Sequence, residues 1–362
     1  MKRTLLSFAV LGAMLATGMT QAGGFDRTGQ DTSIMLKEGS MVEITSVSVN
    51  PKITGTQAGA TPGTGEVAPN YSFTNLGFRT NVSDNFAIAI IQENPFGADI
   101  DYTLGTVGAS WSGLKAKVES SSTTLLTSYD MDNVTVYGGL KNQSLSASAT
   151  NPLAGSYTIT STADSSLGYV LGAAIENPEI AMRVALTYHS KISHDIAVSE
   201  KFGTAAATVS TLSSTTPESI NLDFQTGIAA NTLLFGTIRQ VKWTQMSLCP
   251  AAYKAALSKC LKEFSSNATS YTLGLGRKFT DHWSGAVTYG KESASNNTPS
   301  ALAPTNGYSK MGLGITYTGE QATVTLGMQK VNNGDVTIAS PVAASMTSNT
   351  TRVTAVKIGY KF

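Results

Sequence analysis

The stretch Thr354-Ala355-Val356-Lys357-Ile358-Gly359-Tyr360-Lys361-Phe362 closes the chain. Thr354, Val356, Ile358, Tyr360 and Phe362 fall on one largely apolar row of an extended strand, and Ala355, Lys357, Gly359 and Lys361 on the other. In a soluble protein this two-faced strand would leave a long edge open to aggregation, whereas a closed barrel pairs its last strand with its first. An aromatic residue ending a lipid-facing row also marks many bacterial outer-membrane barrels.

The same alternation recurs upstream. Leu167/Tyr169/Leu171/Ala173/Ile175, Ile180/Met182/Val184/Leu186/Tyr188, Met311/Leu313/Ile315/Tyr317 and Ala322/Val324/Leu326/Met328 each oppose a row of small, polar or charged residues. From residue 39 onward fourteen such segments can be counted. Tight turns at Ser83-Asp84-Asn85, Asp130-Met131-Asp132, Asn177-Pro178, Ala230-Asn231, Asp281-His282 and Gly319-Glu320 alternate with longer connections near 57–69, 95–112, 150–164, 195–216, 247–266, 295–306 and 336–349. An even strand count puts the short turns and both termini on one side, as in periplasmic turns, and the long loops on the other. The expected fold is an all-β, transmembrane antiparallel β-barrel. Tyr71, Tyr102, Trp111, Tyr129, Tyr188, Trp243, Tyr271, Trp283, Tyr289, Tyr308, Tyr317 and Tyr360 lie near segment ends, as interfacial girdles would.

At the other end Lys2 and Arg3 precede an apolar run, Leu5 to Met14, and Thr20-Gln21-Ala22 offers a cleavage site. The run is too short to span a bilayer as a helix, so residues 1–22 read as a signal peptide. Domain organisation follows: 1–22 signal peptide, 23–38 a leading segment, 39–362 barrel. Charged residues make up only 14% of the chain, Gly numbers 34 and Tyr 13, and the apolar residues are spread in alternation, not concentrated in blocks. Removing Lys2 and Arg3 takes the basic count from 25 to 23 against 24 acids, a formal charge of −1, which argues against a nucleic-acid partner. No spacing of the histidines and cysteines suggests a metal, and no cofactor is called for.

Cys249 and Cys260 could form one disulfide, with two free thiols as the alternative. On one continuous helix their Cα atoms would stand about 16 Å apart, too far for a bridge. Pro250 suits a first helical position, so a short helix from Ala251 to about Leu257 is expected, with the chain turning back to Cys260. His189, Ser190, Ser193 and His194 are a weak catalytic candidate, with no acid nearby in sequence to orient a histidine. The chain does not read as an enzyme.

Several stretches resemble the FadL/TodX family of outer-membrane transporters for long-chain fatty acids and other hydrophobic compounds. They are Gly24-Phe25-Asp26-Arg27-Thr28-Gly29-Gln30, the block from Gln92 to Tyr102 (QENPFGADIDY), the block from Pro217 to Trp243, and the closing strand. The resemblance implies a monomeric fourteen-stranded barrel in the bacterial cell outer membrane, with the leading segment folded inside as a plug. It implies passive uptake of a hydrophobic ligand, a long-chain fatty acid first among candidates, by loop capture, binding in the plugged lumen and lateral exit at a kinked third strand. Partners would be the ligand, outer-membrane lipid and lipopolysaccharide, and the barrel assembly machinery. The family's Asn-Pro-Ala hatch motif is absent; Asn50-Pro51-Lys52 and Asn94-Pro95-Phe96 lie elsewhere.

Phe25, Arg27, Ile34 and Met35 are the candidate substrate-binding residues of the plug. Arg27 could meet a carboxylate, or pair with Asp26, Asp31 or a wall carboxylate and hold the plug in place. At Asn94, Pro95, Phe96 and Gly97, Pro95 cannot donate a ladder hydrogen bond and Gly97 permits a bend. Either the third strand ends there as a loop begins, or the wall opens there as the resemblance implies. Arg183, Lys310 and Lys357 are placed on inward rows, paired with luminal acids. The rival functional readings are a general porin for small hydrophilic solutes and a surface-binding barrel.

Overall fold

The computed structural model describes residues 25–57, 63–103, 111–339 and 342–362. The proposed signal peptide and the first two plug residues lie outside the described residues. Among those described, fourteen antiparallel strands close into one barrel. They are β1 (Met41–Lys52), β2 (Tyr71–Asn81), β3 (Phe86–Glu93), β4 (Lys115–Met131), β5 (Val134–Asn151), β6 (Asp164–Asn177) and β7 (Met182–His189). The second half comprises β8 (Ser219–Ala229), β9 (Thr232–Val241), β10 (Ala268–Lys278), β11 (Trp283–Glu292), β12 (Tyr308–Thr318), β13 (Ala322–Asn333) and β14 (Thr350–Lys361). No described helix is long and apolar enough to cross a membrane.

Closure is made by β1 and β14, in register from Met41 opposite Lys361 to Lys52 opposite Thr350. Val356, Ile358 and Tyr360 point out and stay exposed, while Val353 and Ala355 point in and are buried. A slip of one residue would exchange the rows and put Lys357 into lipid, so the alternation fixes the register. The Phe362 N–H donates to Ser40 O (3.1 Å), and its ring stacks on Phe78 at 6.2 Å.

Short turns join alternate strand pairs at one end, and two of them rest on Asp132 and Asn231, whose left-handed φ (53° and 58°) these side chains tolerate. At the opposite end the long connections build a second layer. Within it the expected loop at 195–216 is instead a hairpin, Ile192–Phe202 against Thr208–Thr216, which pairs onward to Tyr157–Ser161 and so to β5. The hairpin's apolar residues, Ile192, Ile196, Val198 and Leu212, are spaced among Ser, Thr and charged residues in a stretch whose composition reads as a loop.

The girdle also differs from expectation. Tyr129, Tyr271, Trp283, Tyr289, Tyr317 and Tyr360 are exposed on the outer wall, but Tyr102, Trp111, Trp243 and Tyr308 are buried. Tyr102 and Trp111 pack edge to face at 5.2 Å in a loop core, where the Tyr102 hydroxyl donates to Ala301 O (2.9 Å). An aromatic ring with a polar tip suits either environment, and strand-end position alone does not separate them.

Candidate functional site

The third strand is broken where Pro95 and Gly97 predict. β3 pairs with β2 only from Leu76–Gln92 to Asn81–Ala87, and with β4 as far as Glu93–Ser122. The chain then resumes as Gly97–Asp101, paired with β4 alone from Gly97–Glu119 onward. Four steps on one strand oppose three on the other, which is a one-residue bulge. Ser120 pins it: its hydroxyl accepts the Phe96 N–H (2.9 Å) and donates to Phe96 O (2.8 Å), and Asn94 Nδ2 donates to Ser120 O (3.0 Å). Across the bulge Tyr71–Asn75 of β2 has no ladder partner on the β3 side, so wall pairing is interrupted there.

The plug meets this gap with its main chain. The Arg27 N–H donates to Pro95 O (2.9 Å) and the Gly97 N–H donates to Phe25 O (2.7 Å). The Arg27 guanidinium lies 4.4 Å from the centre of the Tyr71 ring, a cation–π contact inside the gap. Gly97 is flush against that guanidinium, and a Cβ there would collide with it. Arg27 therefore stacks in the gap and makes no ion pair with Asp26. Asp26 instead binds Arg239 of β9, with Nε at 2.6 Å and Nη2 at 3.3 Å.

Arg239 is the residue that the sequence reading missed. It is buried, and it also donates to Ser219 Oγ (3.0 Å), Asn221 Oδ1 (2.7 Å) and Gln30 Oε1 (3.0 Å), while Asn221 Nδ2 donates to Gly29 O (2.8 Å). A second buried pair, Glu93 with Lys141 at 3.1 Å, takes the Thr28 hydroxyl. The only sequence signal of Arg239 was an inward position on β9, inside the block from Pro217 to Trp243. Further down, Ile34 and Met35 pack with Met41, Ala89, Ile91 and Leu126 near the short-turn end, away from Phe25. The Arg183 guanidinium caps Leu36 O (3.1 Å) and faces Glu176 at 3.6 Å; Lys357 pairs with Glu43 at 3.0 Å. Lys310 lies 5.6 Å from the Tyr308 ring centre.

Above the gap, Phe25 and Phe96 converge on Trp243, at 6.2 and 5.7 Å between ring centres, and Phe264 closes the group at 5.3 Å from Phe25 and 5.2 Å from Trp243. Beside them lies an apolar cavity of about 40 Å³, walled by Phe25, Ala98, Val118, Ile159, Leu212 and Leu248. Lys262 stands at its rim, Nζ 4.8 Å from the Phe264 ring centre, and burial pushes its ammonium down to about 8. No carboxylate among the described residues lies within ion-pair distance of it.

The loop that carries Lys262 is tied down twice. Cys249 and Cys260 are bridged, with Cα atoms 4.3 Å apart, on either side of a helix, α1 (Ala251–Leu257). Pro250 is its N-cap residue, one position before the expected one. Glu200 of the outer hairpin accepts the N–H groups of Ala252 (3.1 Å) and Tyr253 (3.0 Å) and the Tyr157 and Ser210 hydroxyls (both 2.9 Å). Burial works to raise this carboxyl, but those donors outweigh it and hold it below the usual range.

The weak catalytic candidate acquires an acid but no nucleophile. His194 Nδ1 faces Asp164 Oδ2 at 2.9 Å and its Nε2 faces Gln143 at 3.3 Å, while the Ser190 hydroxyl accepts the Tyr169 N–H.

Fourteen closed strands, a plug inside the bore and a bulged third strand can be compared with known proteins as a set. No family model matches this sequence, and no curated relative does. Among solved structures, a FadL homologue of Pseudomonas aeruginosa superposes with a TM-score of 0.75 over 97% of this chain and 98% of that one, at 13% identity. This is the FadL/TodX barrel fold. The toluene transporter TodX of Pseudomonas putida gives a TM-score of 0.65 at 12% identity, over 97% and 98% of the two chains. The toluene transporter TbuX of Ralstonia pickettii gives 0.61 at 11%, over the same shares. At such identities the FadL/TodX likeness is one of backbone, and the residues that line the cavity are this chain's own.

Proposed function

We propose that the protein is a passive outer-membrane channel of the FadL/TodX kind for hydrophobic compounds, with long-chain fatty acids as its cargo. It would work as a monomer, inserted by the barrel assembly machinery and surrounded by lipid and lipopolysaccharide. The observation that carries the reading is the apolar cluster above the wall gap, with Phe25 part of it and hydrogen-bonded across the gap; the cavity beside Phe25, about 40 Å³, would have to widen by displacement of that ring to take a ligand. A ligand entering from the outer loops and displacing the Phe25 ring pulls on the main-chain bonds to Pro95 and Gly97. Release of those bonds frees the gap, and the ligand leaves sideways into the bilayer without crossing water. Lys262 favours a carboxylate at the cavity rim. A second reading, a monoaromatic hydrocarbon, is favoured by the cluster of Phe25, Phe96, Trp243 and Phe264 beside the cavity and by what TodX and TbuX are named for.

Deleting the gene is expected to slow uptake of labelled oleate. In that background Gly97→Val or Pro95→Ala should restore little of it, although the folded barrel accumulates as in wild type. Normal uptake by both variants removes the lateral route, and normal uptake after deletion removes the cargo.

A further inference from the structure

The outer wall carries cations that the protein itself does not neutralise. Lys330 of β13 and Arg352 of β14 are direct cross-strand partners, both exposed on the lipid-facing side. Side chains so placed lie about 5 Å apart at Cβ, and like charges there repel. Lys291 of β11, also exposed, stands two residues beyond Tyr289, whose partner Met311 in turn faces Lys330. No carboxylate among the described residues lies within ion-pair distance of any of the three.

Their height is fixed by the girdles. Tyr271 and Tyr289 mark the interface on the long-loop side, and Trp283, Tyr317 and Tyr360 the other. The cations thus sit at the outer interface, where charge on a lipid-facing wall costs little. Directly below, the same outward face of β10 to β14 is hollowed into an apolar groove of about 790 Å³, with Val287, Leu313, Leu326 and Met328 among its walls.

We propose that this face binds the lipid A moiety of lipopolysaccharide, a glycolipid with two phosphates and several acyl chains. Lys330, Arg352 and Lys291 take the phosphates, and the groove takes an acyl chain. The proposal rests on the outer-membrane reading above. Charge complementarity identifies the occupant: an anionic headgroup over stacked acyl chains offsets the repulsion of the paired cations and fills the hollow under them.

The test uses the full-length barrel, delipidated in detergent, with diphosphorylated lipid A as the probe and bound lipid read by native mass spectrometry. Lys330→Gln with Arg352→Gln should weaken binding roughly thirtyfold, at about fivefold per charge near an anionic surface. Lys278→Gln, at the short-turn end, should bind as wild type, and high salt should weaken the wild-type complex. Equal binding by the double variant, equal competition by a zwitterionic phospholipid, or salt-insensitive binding each overturns the proposal. Heat-modifiable migration verifies that the variant is folded, and the salt series decides the matter if it is not. Cell fractionation is read separately: absence from the outer membrane sinks the underlying reading, whereas correct location with unchanged lipid A binding sinks only this site.

Discussion

Lys262 places an unpaired ammonium at the rim of a mostly apolar cavity, whose other lysine, Lys117, is paired with Glu119 at 2.7 Å, and on the proposed function Lys262 would set which cargo the cavity prefers. Its folded-state value, about 8, lies below the ordinary lysine value of 10.5. Below pH 8 the side chain is charged whether folded or unfolded, so the cost of burying the charge is present in full. Between about 8 and 10.5 the unfolded chain binds the extra proton, and stability rises with pH across that window. Carboxylate affinity moves the other way, because discharge of the ammonium removes its partner. Oleate binding to the purified barrel should therefore decline above pH 8 while toluene binding stays level. Lys262→Met should cost oleate roughly tenfold in affinity, the scale of one charge-assisted hydrogen bond, and leave toluene unchanged. Equal losses for the two ligands would make Lys262 a packing residue.

Among the elements, the plug is held chiefly at Arg239, which binds Asp26 and Gln30 of the plug and Ser219 and Asn221 of the wall. Removing one partner of such a buried pair costs about 3–5 kcal/mol, because the other charge is stranded. Arg239→Leu should loosen the plug without opening the wall, and planar-bilayer recordings should show frequent conducting openings where the wild type stays near baseline. An unchanged trace would assign the hold to Glu93, Lys141 and the main-chain bonds. The place of the break in the third strand was legible in the sequence because Pro95 and Gly97 carry their effect in the backbone, but whether the strand ended there or the wall opened was not. The closing strand was legible because a two-residue period needs only local reading. Arg239 and the cluster of Trp243 with Phe25 were not, since contacts so distant in sequence leave no local pattern. For the same reason the plug residues nominated together separate: Phe25 reaches the cavity and Arg27 the gap, while Ile34 and Met35 seal the far end.

As a whole the molecule is two structures of different strength. The wall is a closed hydrogen-bonded ladder interrupted beside Tyr71–Asn75, whereas the outer layer, beyond the hairpin that pairs on to β5, depends on side chains, a short helix and one disulfide. Replacing both cysteines, Cys249→Ser with Cys260→Ser, should cost the outer layer about 2–4 kcal/mol by freeing the loop, with no loss of the barrel. Expected is faster proteolysis confined to 243–266, beside an unchanged folded band in unheated SDS gels. Loss of the folded band would show that the two layers stand or fall together.

The joint between plug and wall at Pro95 and Gly97 is written in main-chain atoms, apart from the bare space that Gly97 reserves. Peptide groups are the same whatever side chains they carry. A lineage could therefore exchange the rings and charges around the cavity, and with them the cargo, while keeping intact the latch that, on the proposed lateral route, would couple occupancy to release.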